Sequence, residues 1–224
     1  MDLGELSDSH ETLRTVDGRL PGERGRKTRT RLLEVTADML RAGSYRDLAV
    51  VEIAREAGVS PATFYQYFPD VETAIFFMAD HIVVDGHDRL ATLVRDLDCD
   101  SDTETAMAGA RAVADGFLEF WREFDSILRV LDLGAAEKDE RFQQRRTQLL
   151  AGPTEAFAAA VEAQRDAGRI AGDTDARAVA AVLVSMLSHV AAHRTGLRDW
   201  GVARTDLVEA MARVIHCTLL ERVP

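Results

Sequence analysis

Cysteine is nearly absent. Cys99 and Cys217 are the only two in 224 residues, and they lie far apart with neither metal-ligand nor redox spacing. A disulfide framework and a zinc ribbon are thereby excluded, and both residues are expected to be packing thiols. Aromatic residues make up only 6% of the chain. No hydrophobic run alternates with period two for long, which argues against a strand-rich fold. Nowhere do the roughly 20 uninterrupted apolar residues of a membrane helix occur. The first residues, MDLGELSDSHETLRTVDGRL, carry acids and no apolar core, unlike a signal peptide. A cytoplasmic protein is expected.

Catalytic signatures are missing as well: there is no G-x-S-x-G, H-E-x-x-H, P-loop or G-x-G-x-x-G. The residues three before the six histidines are Ser7, Met78, Val84, Met186, Val190 and Arg213. None is a carboxylate, so the Glu-x-x-His pairs of a di-iron bundle are absent. His189 and His193 share a helix face without a nearby acid and suit a polar interior or interface position. No enzyme activity, cofactor or metal is expected.

What is present is charge, unevenly spread. The formal net charge is −11, which by itself argues against a nucleic-acid partner. Residues 19–31, however, hold six basic side chains (Arg19, Arg24, Arg26, Lys27, Arg29, Arg31) against Glu23 alone, whereas residues 73–224 hold 17 basic and 25 acidic ones. A basic arm on an acidic body fits local contact with phosphates; a solvated basic run is the plainer alternative.

The chain reads as all-α, with about nine helices. Residues 1–23 form a leader without periodicity, residues 24–70 a three-helix head, and residues 71–224 a larger helical domain. The first helix, about 26–42, places Leu33, Thr36, Ala37 and Leu40 on one face, and Gly43 is placed to end it in a left-handed conformation. Short helices at about 50–56 and 61–67 flank a turn at Ala57-Gly58-Val59. Ser60 is a good N-cap and Pro61 suits the first helical position. Longer helices are predicted at about 71–96, 103–122, 125–134, 138–168, 174–195 and 204–221. Pro153 predicts a kink or break near residue 152.

The segment from Val51 to Phe68 is a helix, a glycine turn and a second helix. Ile53, Ala54, Val59, Phe64 and Phe68 stand where two crossing helices touch, and Gly58 supplies a positive φ for the turn. Ile53-Ala54, Ala57-Gly58-Val59-Ser60, Tyr65 and Phe68 resemble the pattern of the TetR family of bacterial repressors. The confident likeness covers about residues 28–80. The stretch Pro61 to Pro69 is especially similar to the subgroup containing the mycobacterial ethionamide-resistance repressor. Two positions depart from the family pattern: Ala49 replaces the usual Ser or Thr, and Val71 the usual Lys. Both usual residues touch phosphate, so the departures shift that task to the arm at 24–31.

The resemblance implies a helix-turn-helix whose second helix enters the major groove of double-stranded DNA. Thr63, Gln66 and Tyr67 are then candidates for the groove, since Gln can pair with adenine and Thr can meet a thymine methyl. Tyr65 resembles the family's phosphate-reaching tyrosine; alternatively it packs on the head with its hydroxyl solvated. Ser60 is a cap whose hydroxyl also lies near phosphate. Lys27 and Arg29 are expected either at the DNA backbone or as a solvated helix start. Phe64 and Phe68 read as core.

The resemblance also implies an effector cavity in the second domain, for which Phe117, Trp121, Phe124, Phe157, Met186 and His189 are the candidates; ordinary core is the alternative for each. The scarcity of charge on these faces points to a small apolar or amphipathic effector. The last two helices carry Ala180, Ala181, Val184, Leu187, Ala191, Met211 and Val214, compatible with the family's homodimer, and a two-fold dimer implies a palindromic operator. The expectation is a repressor released by its effector. The alternative is a helical small-molecule-binding protein with weak or lost DNA binding.

Overall fold

A computed structural model of the chain describes residues 15–16 and 22–219; most of the expected leader lies outside the described residues. Among these, nine α-helices and one 3₁₀ turn account for the regular structure and no strand occurs. The helices are α1 (Glu23–Ala42), α2 (Val50–Glu56), α3 (Pro61–Tyr67), α4 (Val71–Arg95), α5 (Thr103–Glu123), α6 (Asp125–Ala136), α7 (Glu140–Asp166), α8 (Ala176–Asp199) and α9 (Arg204–Leu219), with the 3₁₀ turn at Tyr45–Asp47. The expected all-α architecture is therefore observed.

The chain forms two compact units. The first comprises Met1–Ile82 and Phe124–Phe142, the second Val83–Glu123 and Gln143–Pro224. In the first unit α1 packs on α2 and α6, and α2 packs on α3. Leu32, Leu33, Leu40, Ile53, Phe64, Ile75 and Met78 are fully or almost fully buried there. Gly58 has φ +73°, the left-handed turn expected of it. Gly43 differs: it is extended, with φ −155°, and its N–H donates to the Met39 carbonyl. The helix end is closed by that bond, so no positive φ is needed.

Residues 124–142 are tied to the head by specific contacts. Arg129 Nη2 donates to the Leu40 carbonyl at 2.8 Å, satisfying an oxygen at the frayed end of α1. Arg46 pairs with Glu137. Arg141 Nη2 lies 2.9 Å from Glu72, and its guanidinium sits 5.0 Å from the centre of the Phe76 ring. Phe76 and Phe142 meet at 4.7 Å.

In the second unit α5 packs on α8 and α9, burying Phe117, Leu118, Phe120, Leu183, Leu187, Met211 and Ile215. Arg111–Glu209 and Arg204–Asp115, both at 2.7 Å, bridge α5 and α9 at the surface. Asp175 caps α8 by accepting from the Ala178 amide. By length and composition α8 would also suit a membrane span, with a mean hydropathy of 1.4 over its most apolar window.

At Pro153, where a kink or break is expected near residue 152, α7 is not broken and runs from Glu140 to Asp166. Instead, the His87 imidazole enters the helix ladder. The Gly152 N–H points to His87 Nδ1 at 3.1 Å, the same nitrogen that lies 3.1 Å from the Gln148 carbonyl. A Cβ at residue 152 would stand 2.4 Å from the His87 carbonyl oxygen. Only glycine permits that approach.

Candidate nucleic-acid interface

α3 is seven residues long, too short to stand alone. Its start is held by Ser60, whose Oγ accepts from the Thr63 amide at 3.2 Å and lies 3.0 Å from Thr63 Oγ1. Its inner face is held by Phe64 and Phe68, 0% and 3% exposed, with ring centroids 5.6 Å apart. These contacts leave the opposite face outward. Tyr65 is 51% exposed and meets Phe64 edge-on at 6.0 Å. Gln66 is exposed, while Thr63 and Tyr67 are half-buried. The Gln66 carbonyl accepts from the Val16 amide at 2.9 Å, leaving its side-chain amide at the surface.

The basic residues divide. Arg24, Arg26 and Lys27 are exposed on the first turns of α1, and Lys27 lies 2.9 Å from Glu23. An exposed pair of this kind contributes little and is readily exchanged for a phosphate. Arg29 corrects the expectation of a backbone contact. It is 4% exposed, and its guanidinium lies 5.3 Å from the centre of the Phe77 ring. Burial holds that guanidinium below its ordinary range, with neighbouring Tyr67 acting in the opposite direction and Arg26 adding to the lowering. Its long side chain packs and its cation meets an aromatic face. Ala49, as N-cap of α2, makes no side-chain cap bond, in keeping with the missing hydroxyl.

The candidate effector residues also divide. Phe117 and Trp121 stack with centroids 5.9 Å apart and planes 8° apart, and Phe120 meets Trp121 at 5.7 Å. Phe157 is fully buried in the same unit, and Met186 is half-buried. The Trp121 indole N–H is buried without an acceptor among the described residues. Phe124 belongs to the first unit. His189, a cavity candidate also expected at a polar interior or interface position, is exposed on α8 within the single chain, stacked on His193 at 4.1 Å. Helical periodicity groups it with Met186, but the buried face of α8 runs through Leu183, Leu187 and Ala191. Among the described residues no group of three or more metal-ligating side chains occurs.

Sequence reasoning missed Arg129, Arg46 and Arg141, whose contacts draw α6 and its flanks into the first unit. Nothing local marks them, because their partners at Leu40, Glu137 and Glu72 are distant in sequence or lie on other helices.

Residues 32–72 match the family model described as bacterial regulatory proteins, tetR family. Residues 91–224 match the one described as tetracyclin repressor-like, C-terminal domain. Solved structures agree in fold. A tetR-family transcriptional regulator from Streptomyces coelicolor superposes with TM-score 0.62 at 16% identity, over 89% of this chain and 80% of that one. FadR from Bacillus subtilis, in complex with stearoyl-CoA, superposes with TM-score 0.60 at 16% identity, over 87% and 98%. The fatty acid degradation regulator FadR from Bacillus halodurans gives 0.59 at 15% identity, over 90% and 97%. With a helix-turn-helix head matched in one stretch and more than half the chain in the other, the protein belongs to the TetR family of transcriptional regulators.

Proposed function

We propose that the chain is a dimeric repressor that holds a palindromic operator through α3 and leaves it when a small lipophilic effector binds the second unit. The outward face of α3 carries this reading: Tyr65 and Gln66 are exposed on a helix whose other side is fixed by its cap and two phenylalanines. In this reading Thr63, Gln66 and Tyr67 meet base edges. Tyr65, Ser60 and Lys27 meet phosphates, which position the head without specifying sequence. Arg29 supports α1 from within. Two copies joined through α8 and α9 address half-sites about 34–36 Å apart, or a multiple of that distance. The likeness of Pro61–Pro69 supports reading the head as similar to the ethionamide-resistance subgroup.

The effector is read on Phe117, Trp121, Phe157 and Met186. The Trp121 N–H, buried without an acceptor among the described residues, favours an amphipathic effector that carries one. The stearoyl-CoA bound by the Bacillus subtilis neighbour combines an acyl chain with a polar head, and acyl-CoA is the first probe to apply. Release operates through α4, which runs from one unit into the other, and coupling of this kind amounts to about 1–3 kcal/mol.

The decisive experiment is a gel shift of the full chain on DNA flanking its own gene, with Tyr65→Ala/Gln66→Ala as the variant. Specific binding should vanish while helix content stays unchanged; unaltered affinity would remove α3 from the role. The absent side-chain cap at Ala49 favours the second reading, a helical small-molecule binder with weak DNA contact. A footprint without any protected palindrome would support that alternative.

A further inference from the structure

α8 carries two imidazoles one turn apart. His189 and His193 stand four residues apart on a helix that runs from Ala176 to Asp199, so they share one face. Both are exposed, and their rings lie 4.1 Å apart between centroids, with planes 24° from parallel. His193 Nδ1 lies 3.0 Å from the His189 carbonyl oxygen. A carbonyl only accepts, so Nδ1 of His193 carries a proton, and Nε2 of the neutral ring keeps its lone pair free. The His189 ring has no hydrogen-bond partner among the described residues. One ring nitrogen held by a backbone carbonyl while the other stays open is the ordinary arrangement of a metal-binding histidine.

Charge is scarce along this stretch. Between Arg177 and Arg198 the sole Asp, Glu, Lys or Arg is Arg194, and its guanidinium donates to the Ala191 carbonyl at 2.9 Å. Calcium and magnesium demand oxygen donors, which the pair does not offer. Late first-row ions take imidazole nitrogen instead and need no carboxylate.

We infer that His189 and His193 chelate one late first-row divalent cation per chain, through one nitrogen of each ring. Tetrahedral bonds of about 2.0–2.1 Å put two such nitrogens about 3.3 Å apart. Exposed side chains whose rings already stack at 4.1 Å reach that separation by turning about their own torsions. Water or a small anion completes the coordination. Among candidate ions copper(II) binds most tightly, ahead of nickel(II) and zinc(II). The chelate closes across one turn of α8, a geometry that exists only in the folded chain, so the bound ion stabilises the second unit. The site rests neither on the operator reading nor on how two copies meet.

Calorimetric titration of the full chain, first stripped with EDTA, against copper(II), nickel(II) and zinc(II) chlorides tests it. The parent should bind one ion per chain, with copper tightest. His189→Ala and His193→Ala should each weaken binding by at least about tenfold, since losing even an outer-shell partner costs that much. His193→Ala/Thr195→His separates a chelate from a mere count of histidines. It keeps two imidazoles but sets them on different faces of α8, and it should bind as weakly as the single variants. His216→Gln, on α9, should bind as the parent does. Positions 189, 193 and 195 are exposed, and circular dichroism checks that the helices persist. No saturable ion at one per chain, parental affinity in either single variant or in the transposed pair, or a loss of binding in His216→Gln would each overturn the chelate.

Discussion

In the first unit, α2 and α3 are seven residues each and turn about Ile53, Phe64 and Phe68. In the second, α5, α7 and α8 run to 21, 27 and 24 residues. Helices as short as the first pair gain nothing from propensity, because nucleation alone outweighs the few bonds they close. They persist through particular residues: the Ser60 cap, the left-handed Gly58, and the two phenylalanines. The long helices persist through a repeating apolar stripe, which many sequences supply. The small unit is therefore specified residue by residue, and the large one by pattern.

The same truncation in each unit should separate the two regimes most sharply. Phe64 and Phe117 are both 0% exposed, and each change to Ala should cost about 3–5 kcal/mol. Phe64→Ala should abolish operator binding with little loss of far-ultraviolet helix signal. Phe117→Ala should lower the main thermal transition while DNA affinity persists below it. Equal losses of DNA binding in both would erase the distinction.

Gly152→Ala is the next largest. Its Cβ would meet the His87 carbonyl oxygen at 2.4 Å, a backbone atom that cannot rotate away. Denaturant unfolding should show about 1–3 kcal/mol of destabilisation, whereas Gly43→Ala, in extended backbone with nothing nearer than 3.9 Å, should be well tolerated.

Within the first unit, Arg24, Arg26 and Lys27 should be separable from Arg29. Alanine at the three exposed positions should flatten the salt dependence of DNA binding by about 0.9 in log–log slope for each phosphate no longer neutralised. Deleting residues 1–27 should flatten it likewise. Arg29→Ala should leave the slope in place and lower stability instead. A reduced slope in Arg29→Ala would return that side chain to the interface.

Arg129→Ala removes the hydrogen bond to the Leu40 carbonyl, worth about 0.5–1.5 kcal/mol. It should loosen the head, read as faster amide exchange at the end of α1. Protection there identical to the parent's would mean that α6 does not support the head.

The smallest effect concerns acid. In the second unit the Asp102 carboxyl is held below its ordinary range by the Thr105 amide and hydroxyl and the Glu104 amide, and Arg122 and Arg111 do the same to Glu119 and Glu209. In the first unit Arg141 lowers Asp139. A depressed carboxylate contributes stability above its unfolded value, about 4, and that contribution is lost as pH falls through the lower folded value. Asp102→Asn keeps a cap without the titration, so its stability should change less than the parent's below about pH 4.

Much of this molecule is legible in residue order alone. The nine helices of the described residues, the turn at Gly58 and the Ser60 cap follow from spacing and from residues with few conformational choices. Arg29 is not legible, because a basic residue near a helix start reads alike whether it faces water or lies over Phe77. The same holds for His189: its spacing groups it with Met186, yet the face that packs is the one through Leu183 and Leu187. Pro153 reads as a breaker until the His87 imidazole is found among the helix bonds beside it.

By itself, then, the amino-acid sequence determined the helical class, the helix-turn-helix and the family, because caps, turn glycines and 3.6-residue periodicity act over a few residues. Tertiary structure alone decided that residues 124–142 belong with the head, and that Arg29 packs rather than projects. It also decided that α7 and α8 leave an open groove. Each of these depends on which face of one helix meets another distant in sequence, and periodicity defines a face without naming its neighbour.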